Sequence, residues 1–145
     1  MKTIILYYSK HHQNTKKLLN AIQEKYDVQL LDITETPVPD LEDYDRIGFA
    51  SGIYYSKFHK DLIRIAKEKL PERKEVFFIS TCIALKGTYT DSIRKEAEKH
   101  DCTILGQFTC LGFDTYGPLR FIEGLAKGHP DDNDIKNILD FYRGL

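Results

Sequence analysis

The sequence predicts an open, doubly wound α/β domain: a five-stranded parallel sheet in order 2-1-3-4-5, helices on both faces, three layers in all. Three observations carry this. Apolar runs of strand length alternate with segments of helical period along the whole chain. The runs are apolar throughout rather than at every second residue, as strands buried on both faces must be. The 145 residues suit one such domain, and right-handed crossovers leave few strand orders, of which 2-1-3-4-5 is the commonest. With no internal repeat, low-complexity tract or linker, residues 1–145 read as a single domain.

The elements follow in order. KTIILYYS is an apolar run for a first, central strand, and from Thr15 to Tyr26 the set Leu18, Leu19, Ile22 and Tyr26 has helical spacing. VQLLDI (28–33) is a second strand. Pro37 and Pro39 keep the connection after it from forming a long helix. DRIGFASG holds a third strand ending about Ser51, and Leu62, Ile63, Ile65, Ala66 and Leu70 mark the inner face of a helix over 60–70. EVFFIST (75–81) is the fourth and most apolar strand. A charged helix over 90–100 buries Ile93 and Ala97, and a fifth strand lies near TILGQFTC (103–110). The last helix runs from about Asp131 to Tyr142, with three acids suited to its positive N-terminal end.

Composition narrows the function. Hydrophobic content of 41% and charged content of 30% fit a soluble globular protein, and a net charge of −1 gives no global field towards nucleic acid or anionic lipid. Neither partner is expected. No stretch approaches the roughly 18 apolar residues of a membrane span, and MKTIILYYS is too short for a secretory core. Cys82, Cys102 and Cys110 are odd in number and lack metal spacing, so they read as free thiols in a reducing, cytoplasmic setting. The five histidines share no ligand spacing on one helix, and no metal is implied. Monomer and homodimer both remain open.

Doubly wound sheets bind ligands beyond the carboxyl ends of their strands, at the point where strand order reverses, here between strands 1 and 3. Four segments fall there: SKHHQNT (9–15), SGIYYSKF (51–58), STCIALKGTY (80–89) and the stretch after strand 5. They contain no G-x-x-x-x-G-K-[ST] and no G-x-G-x-x-G, which excludes a P-loop hydrolase and a dinucleotide fingerprint. A receiver domain would need paired acids after strand 1, and a low-molecular-weight tyrosine phosphatase a Cys and an Arg in the first loop. This chain has neither.

SKHHQNT suits a phosphate held at a helix N-terminus. Ser9 and Thr15 supply hydroxyls, Asn14 an amide, and the first helical N–H groups point at the loop with about half a positive charge. The plainer alternative is a cap, but a cap needs one such residue and this loop has several.

Here the sequence resembles the flavodoxin family, whose first loop, [ST]-x-[ST]-G-x-T, wraps the phosphate of FMN. Ser9, Asn14 and Thr15 match the ends of that motif. The loop is one residue longer, carries His11 and His12 in its middle, and has Gln13 where the family has Gly. The resemblance covers essentially the whole chain. It implies FMN as cofactor, with Ser9, His11, Gln13, Asn14 and Thr15 around the phosphate. Gly52, Ile53, Tyr54, Tyr55 and Phe58 would lie along one face of the flavin ring, the tyrosines being the better stacking groups and Phe58 the better core residue. Ser80, Thr81 and Cys82 would bracket the other side, Cys82 through its backbone, its sulfur reading as a small buried hydrophobe. Phe113 and Asp114 open a loop of about twenty residues (112–130), longer than ordinary flavodoxins need, within which LRFIEGLA has the pattern of a short helix.

The resemblance implies a small electron carrier serving redox partner proteins. Two other functions stay open: an FMN-dependent NAD(P)H:quinone-type oxidoreductase, for which a near-neutral surface and the long loop leave room, and a flavin-free module binding another phosphorylated ligand.

Overall fold

The computed structural model describes residues 1–8, 14–54, 57–82, 85, 89–112 and 128–145. In chain order these form β1 (Thr3–Tyr8), α1 (Asn14–Lys25), β2 (Gln29–Asp32), β3 (Arg46–Tyr54), β4 (Lys57–Phe58), α2 (Lys60–Lys69), β5 (Glu75–Cys82), α3 (Asp91–Lys99), β6 (Thr103–Leu111) and α4 (Asp132–Arg143). A single 3-10 turn, Leu41–Asp43, occupies the Pro-punctuated connection.

The main sheet is parallel and ordered β2-β1-β3-β5-β6, which is the expected order with one hairpin strand inserted in the count. That strand is the departure from the sequence reading. β3 does not stop at Ser51. Ile53 and Tyr54 are strand-prone residues, and they continue β3 into an antiparallel pairing with Phe58 and Lys57. The segment expected to be loop is therefore partly sheet.

Side chains alternate across the strands and feed two cores. Ile4, Leu6, Ile47, Phe49, Val76 and Phe78 pack on one face with Leu62, Ile65 and Ala66 of α2 and Ile93 and Ala97 of α3. Ile5, Tyr7, Ala50, Phe77 and Ile79 pack on the other with Leu18, Leu19 and Ile22 of α1 and Ile138 and Tyr142 of α4. Residues apolar at every position thus find a partner on both sides, which is why the strands read as continuous hydrophobic runs. Gly48 shows how close the fit is. A Cβ there would lie 2.4 Å from Cζ of Phe77, whose ring covers β3 and meets Tyr142 edge-on at 5.9 Å. No helix among the described residues is long and apolar enough to cross a membrane.

Candidate functional site

The carboxyl ends of β1 and β3 part company at the Tyr8–Ser51 rung, the last of their ladder, and α1 and the β3–β4 hairpin rise from either side of the crevice. α1 starts at Asn14 with the sequence NTKK. Its first turn has no acidic residue, whereas α2, α3 and α4 each carry at least one there. The amides of a first helical turn have no intrahelical partner, which makes that end positive. Lys16 and Lys17 add charge of the same sign. The Lys17 ammonium donates to the carbonyl of Pro130 at 2.6 Å, tying α1 to the chain leading into α4.

Thr15 is turned inward. It is 1% exposed, and its hydroxyl lies 3.1 Å from that of Thr81, itself 4% exposed, at the end of β5. One proton serves the contact between the two oxygens, so the pair keeps a second proton to donate. Gly112, which follows β6, closes this corner. Its N–H donates to the carbonyl of Cys82 at 2.8 Å. A Cβ at 112 would sit 2.9 Å from Cβ of Thr81, 3.0 Å from Nδ2 of Asn14 and 3.1 Å from Cβ of Asn14. The ends of β5 and β6 and the start of α1 can meet because residue 112 has no side chain. Of the residues expected around a ligand, Asn14, Thr15 and Thr81 are thus brought together.

Other expected residues have different company. Phe58 takes the core place its sequence setting favoured over the ligand wall: it is 2% exposed, and its ring meets Phe78 edge-on at 6.2 Å inside the α2/α3 core. The Ser80 hydroxyl is fully buried and lies 2.7 Å from that of Thr109, which uses it to join β5 to β6. The Cys82 sulfur faces the carbonyl of Cys110 at 3.6 Å, and burial pushes its pKa up to about 11. It is a protonated packing group, as its sequence setting implied. Gly52 remains in the β3–β5 ladder opposite Thr81, and half-buried Ile53 packs on the α2/α3 core. Tyr54 pairs through its backbone with Lys57. The Tyr54 ring, Ser9, His11, Gln13, Tyr55, Phe113 and Asp114 fall outside what the structure describes, as does LRFIEGLA.

Three residues of this region have no role of their own from the sequence: Tyr8, Ser51, which opens the SGIYYSKF segment, and His59. The His59 backbone N–H donates to the Ser51 hydroxyl at 3.2 Å, and that hydroxyl in turn donates to the carbonyl of Gly52. The His59 ring stacks on Tyr8 with centroids 3.6 Å apart and planes at 14°.

Two further features lie apart from the crevice. At the start of α4, His129, Asp131 and Asp134 bring donor atoms within 4.8 Å of one another, but both carboxylates are spent on a capping box and on His129. A cavity of about 380 Å³ beside Lys2, Asp27, Gln29, Tyr44 and Asp45 opens at the amino ends of the strands, the wrong end for a doubly wound sheet.

Comparison with known proteins agrees with this geometry. Residues 4–112 match the family model described as a flavodoxin domain. An uncharacterized protein of Methanocaldococcus jannaschii is 35% identical over 147 aligned positions, spanning 100% of this chain and 98% of its own. A short-chain flavodoxin associated with a bacterial microcompartment superposes with a TM-score of 0.69 at 16% identity, covering 100% of this chain and 97% of that one. A flavoprotein of Lactobacillus acidophilus solved in complex with FMN superposes with a TM-score of 0.55 at 20% identity, covering 74% and 92%. At such identities the two solved structures speak for the fold alone.

Proposed function

The chain belongs to the flavodoxin family, and from that premise we propose that it binds FMN at the β1–β3 switch point and serves as a small electron carrier. The observation that carries the reading is the start of α1: a positive helix end with no acid of its own, at the reversal of strand order, beside a Thr15–Thr81 hydroxyl pair with a proton to give. Gly112 supports the arrangement, since any side chain there would press Thr81 and Asn14 apart. Bound there, FMN supplies the redox chemistry, accepting and passing on electrons. The residues of this chain hold its phosphate, exclude water from the ring and set the polarity beside it. Asn14 and the first amides of α1 are assigned to the phosphate, and the β3–β4 hairpin to one side of the ring.

The test is an FMN titration of the purified protein, followed by absorbance and flavin fluorescence. Stoichiometric binding is the expected result, and failure to bind FMN at any concentration near that of the protein would remove the proposal. Thr15→Ala should weaken FMN far more than riboflavin, which lacks the phosphate; equal losses would argue against a phosphate contact. Carrier and oxidoreductase are then separated by turnover. A carrier accepts electrons from dithionite but consumes NAD(P)H with a quinone only when a reductase is added.

A further inference from the structure

We infer that His59 is a positioning residue of the FMN site, holding the last β1–β3 rung in place through a ring whose protonation state sets that hold. The inference rests on the FMN reading above. The rung consists of Tyr8 and Ser51, and His59 contacts both: its ring lies on Tyr8 and its backbone N–H donates to the Ser51 hydroxyl. Tyr8 also directly precedes the polar stretch SKHHQNT in the sequence. One residue therefore joins the two strands to the start of α2, β3 through its backbone and β1 through its ring.

The ring is committed chemically as well. Its Nδ1 accepts the backbone N–H of Asp61 at 3.1 Å and so serves as the N-cap of α2. Histidine is outside the usual set of capping residues, Ser, Thr, Asp and Asn. A local rule broken beside a candidate site marks a residue kept for another reason. To accept that bond, Nδ1 must be unprotonated, which puts the ring proton on Nε2 in the neutral form.

Protonation reverses the arrangement. An imidazolium has no acceptor, so the cap is lost, and a cation is placed at the positive end of a helix. The charged groups facing the ring pull the other way. The Asp61 carboxylate lies 3.7 Å from Nδ1, while also engaging Arg64 at 3.8 Å, and the face of Tyr8 attracts a cation. The proton therefore re-aims Nδ1 from the Asp61 amide to the Asp61 carboxylate. That turn slides the ring across Tyr8 and loosens the rung on which the site is built.

The experiment compares FMN affinity of wild type, His59→Asn and His59→Ala between about pH 5.5 and about pH 8, where imidazoles titrate. Asn keeps a capping oxygen and does not titrate. The ionisation of the FMN phosphate is common to all three proteins and cancels in the ratio of affinities. Wild type should weaken at the acid end more than His59→Asn, because only the imidazole loses its acceptor there. His59→Ala should bind more weakly than His59→Asn at every pH. A wild-type to Asn ratio that stays constant with pH overturns the inference while leaving FMN binding intact. Loss of FMN binding by wild type at the alkaline end overturns the FMN reading and this one with it. Should the variants fail to fold, NMR of wild type decides: the Asp61 amide shift must follow the His59 titration, and an amide that ignores it overturns the inference.

Discussion

α4 starts with Asp131 accepting the Asp134 N–H at 2.9 Å and Asp134 accepting the Asp131 N–H at 2.9 Å, with Nδ1 of His129 a further 2.6 Å from the Asp134 carboxylate. α1 packs beside it on the same face of the sheet and starts with Asn14, Thr15, Lys16 and Lys17. Both helix ends carry about half a positive charge. α4 answers that charge with its own carboxylates and needs nothing from outside. α1 adds two ammonium groups to it, which is unfavourable for an isolated helix and sensible for one that receives an anion. The comparison teaches that the stable start and the useful start are different designs within one domain. Each can be broken separately.

The largest effect is expected from giving α1 the kind of residue α4 has. Asn14→Asp keeps the shape of the side chain that packs against Gly112 and adds one negative charge to the first turn. It should stabilise the protein in urea by about 0.5 kcal/mol through the helix end while weakening FMN about a hundredfold, since two like charges within a few ångströms repel by that order. Unchanged FMN affinity would mean that the start of α1 holds no phosphate. Next comes Gly112→Ala. The added methyl presses on the Cβ of Thr81 at 2.9 Å, a backbone-anchored atom that cannot simply swing aside, and on Asn14. A loss of about 1–2 kcal/mol in urea unfolding is expected, with FMN affinity falling as well because the corner beside Thr15 is displaced. A neutral result would show that the closeness of β6 to α1 is incidental.

How legible was this in the sequence? The α4 start was: three acids before a helical stripe of Ile135, Ile138, Leu139 and Tyr142 announce it. The sheet order was also within reach, because buried parallel strands leave a local signature and right-handed crossovers do the rest. The α1 start was only half legible. Its polar loop and lack of acids are local facts, but the partner of Thr15 stands 66 residues away and Gly112 nearly a hundred. No window of sequence contains a contact made by the chain closing a sheet. The same reason explains Phe58. An aromatic residue after a glycine-containing strand leans only slightly towards core over ring wall, and the β3–β4 pairing, which turns Phe58 towards Phe78, decides for core. His59 escaped for a different reason: its type is rare as a cap, so the pattern rules that find helix starts pass over it.

The smallest effect belongs to the α4 start and gives the comparison its control. The hydrogen bond to Asp134 raises the pKa of His129 above its ordinary value; desolvation opposes it, and the Asp134 and Asp131 charges add to the rise. A group whose pKa is raised by folding contributes stability in full below its unfolded value, about 6.5, and loses it as pH rises through the folded value. The advantage of wild type over His129→Gln in thermal unfolding should therefore be greatest near pH 5.5 and shrink towards about pH 8. Asp131 has the opposite sense: its pKa is lowered, first by the Asp134 N–H, so its contribution persists at neutral pH and is lost only in acid. An advantage of wild type that grew with pH would mean that His129 is held by something other than these carboxylates. FMN affinity should barely respond to His129→Gln. The charges at α4 are balanced among themselves, so removing one changes the helix that carries them, whereas a charge added at α1 changes what the protein can hold.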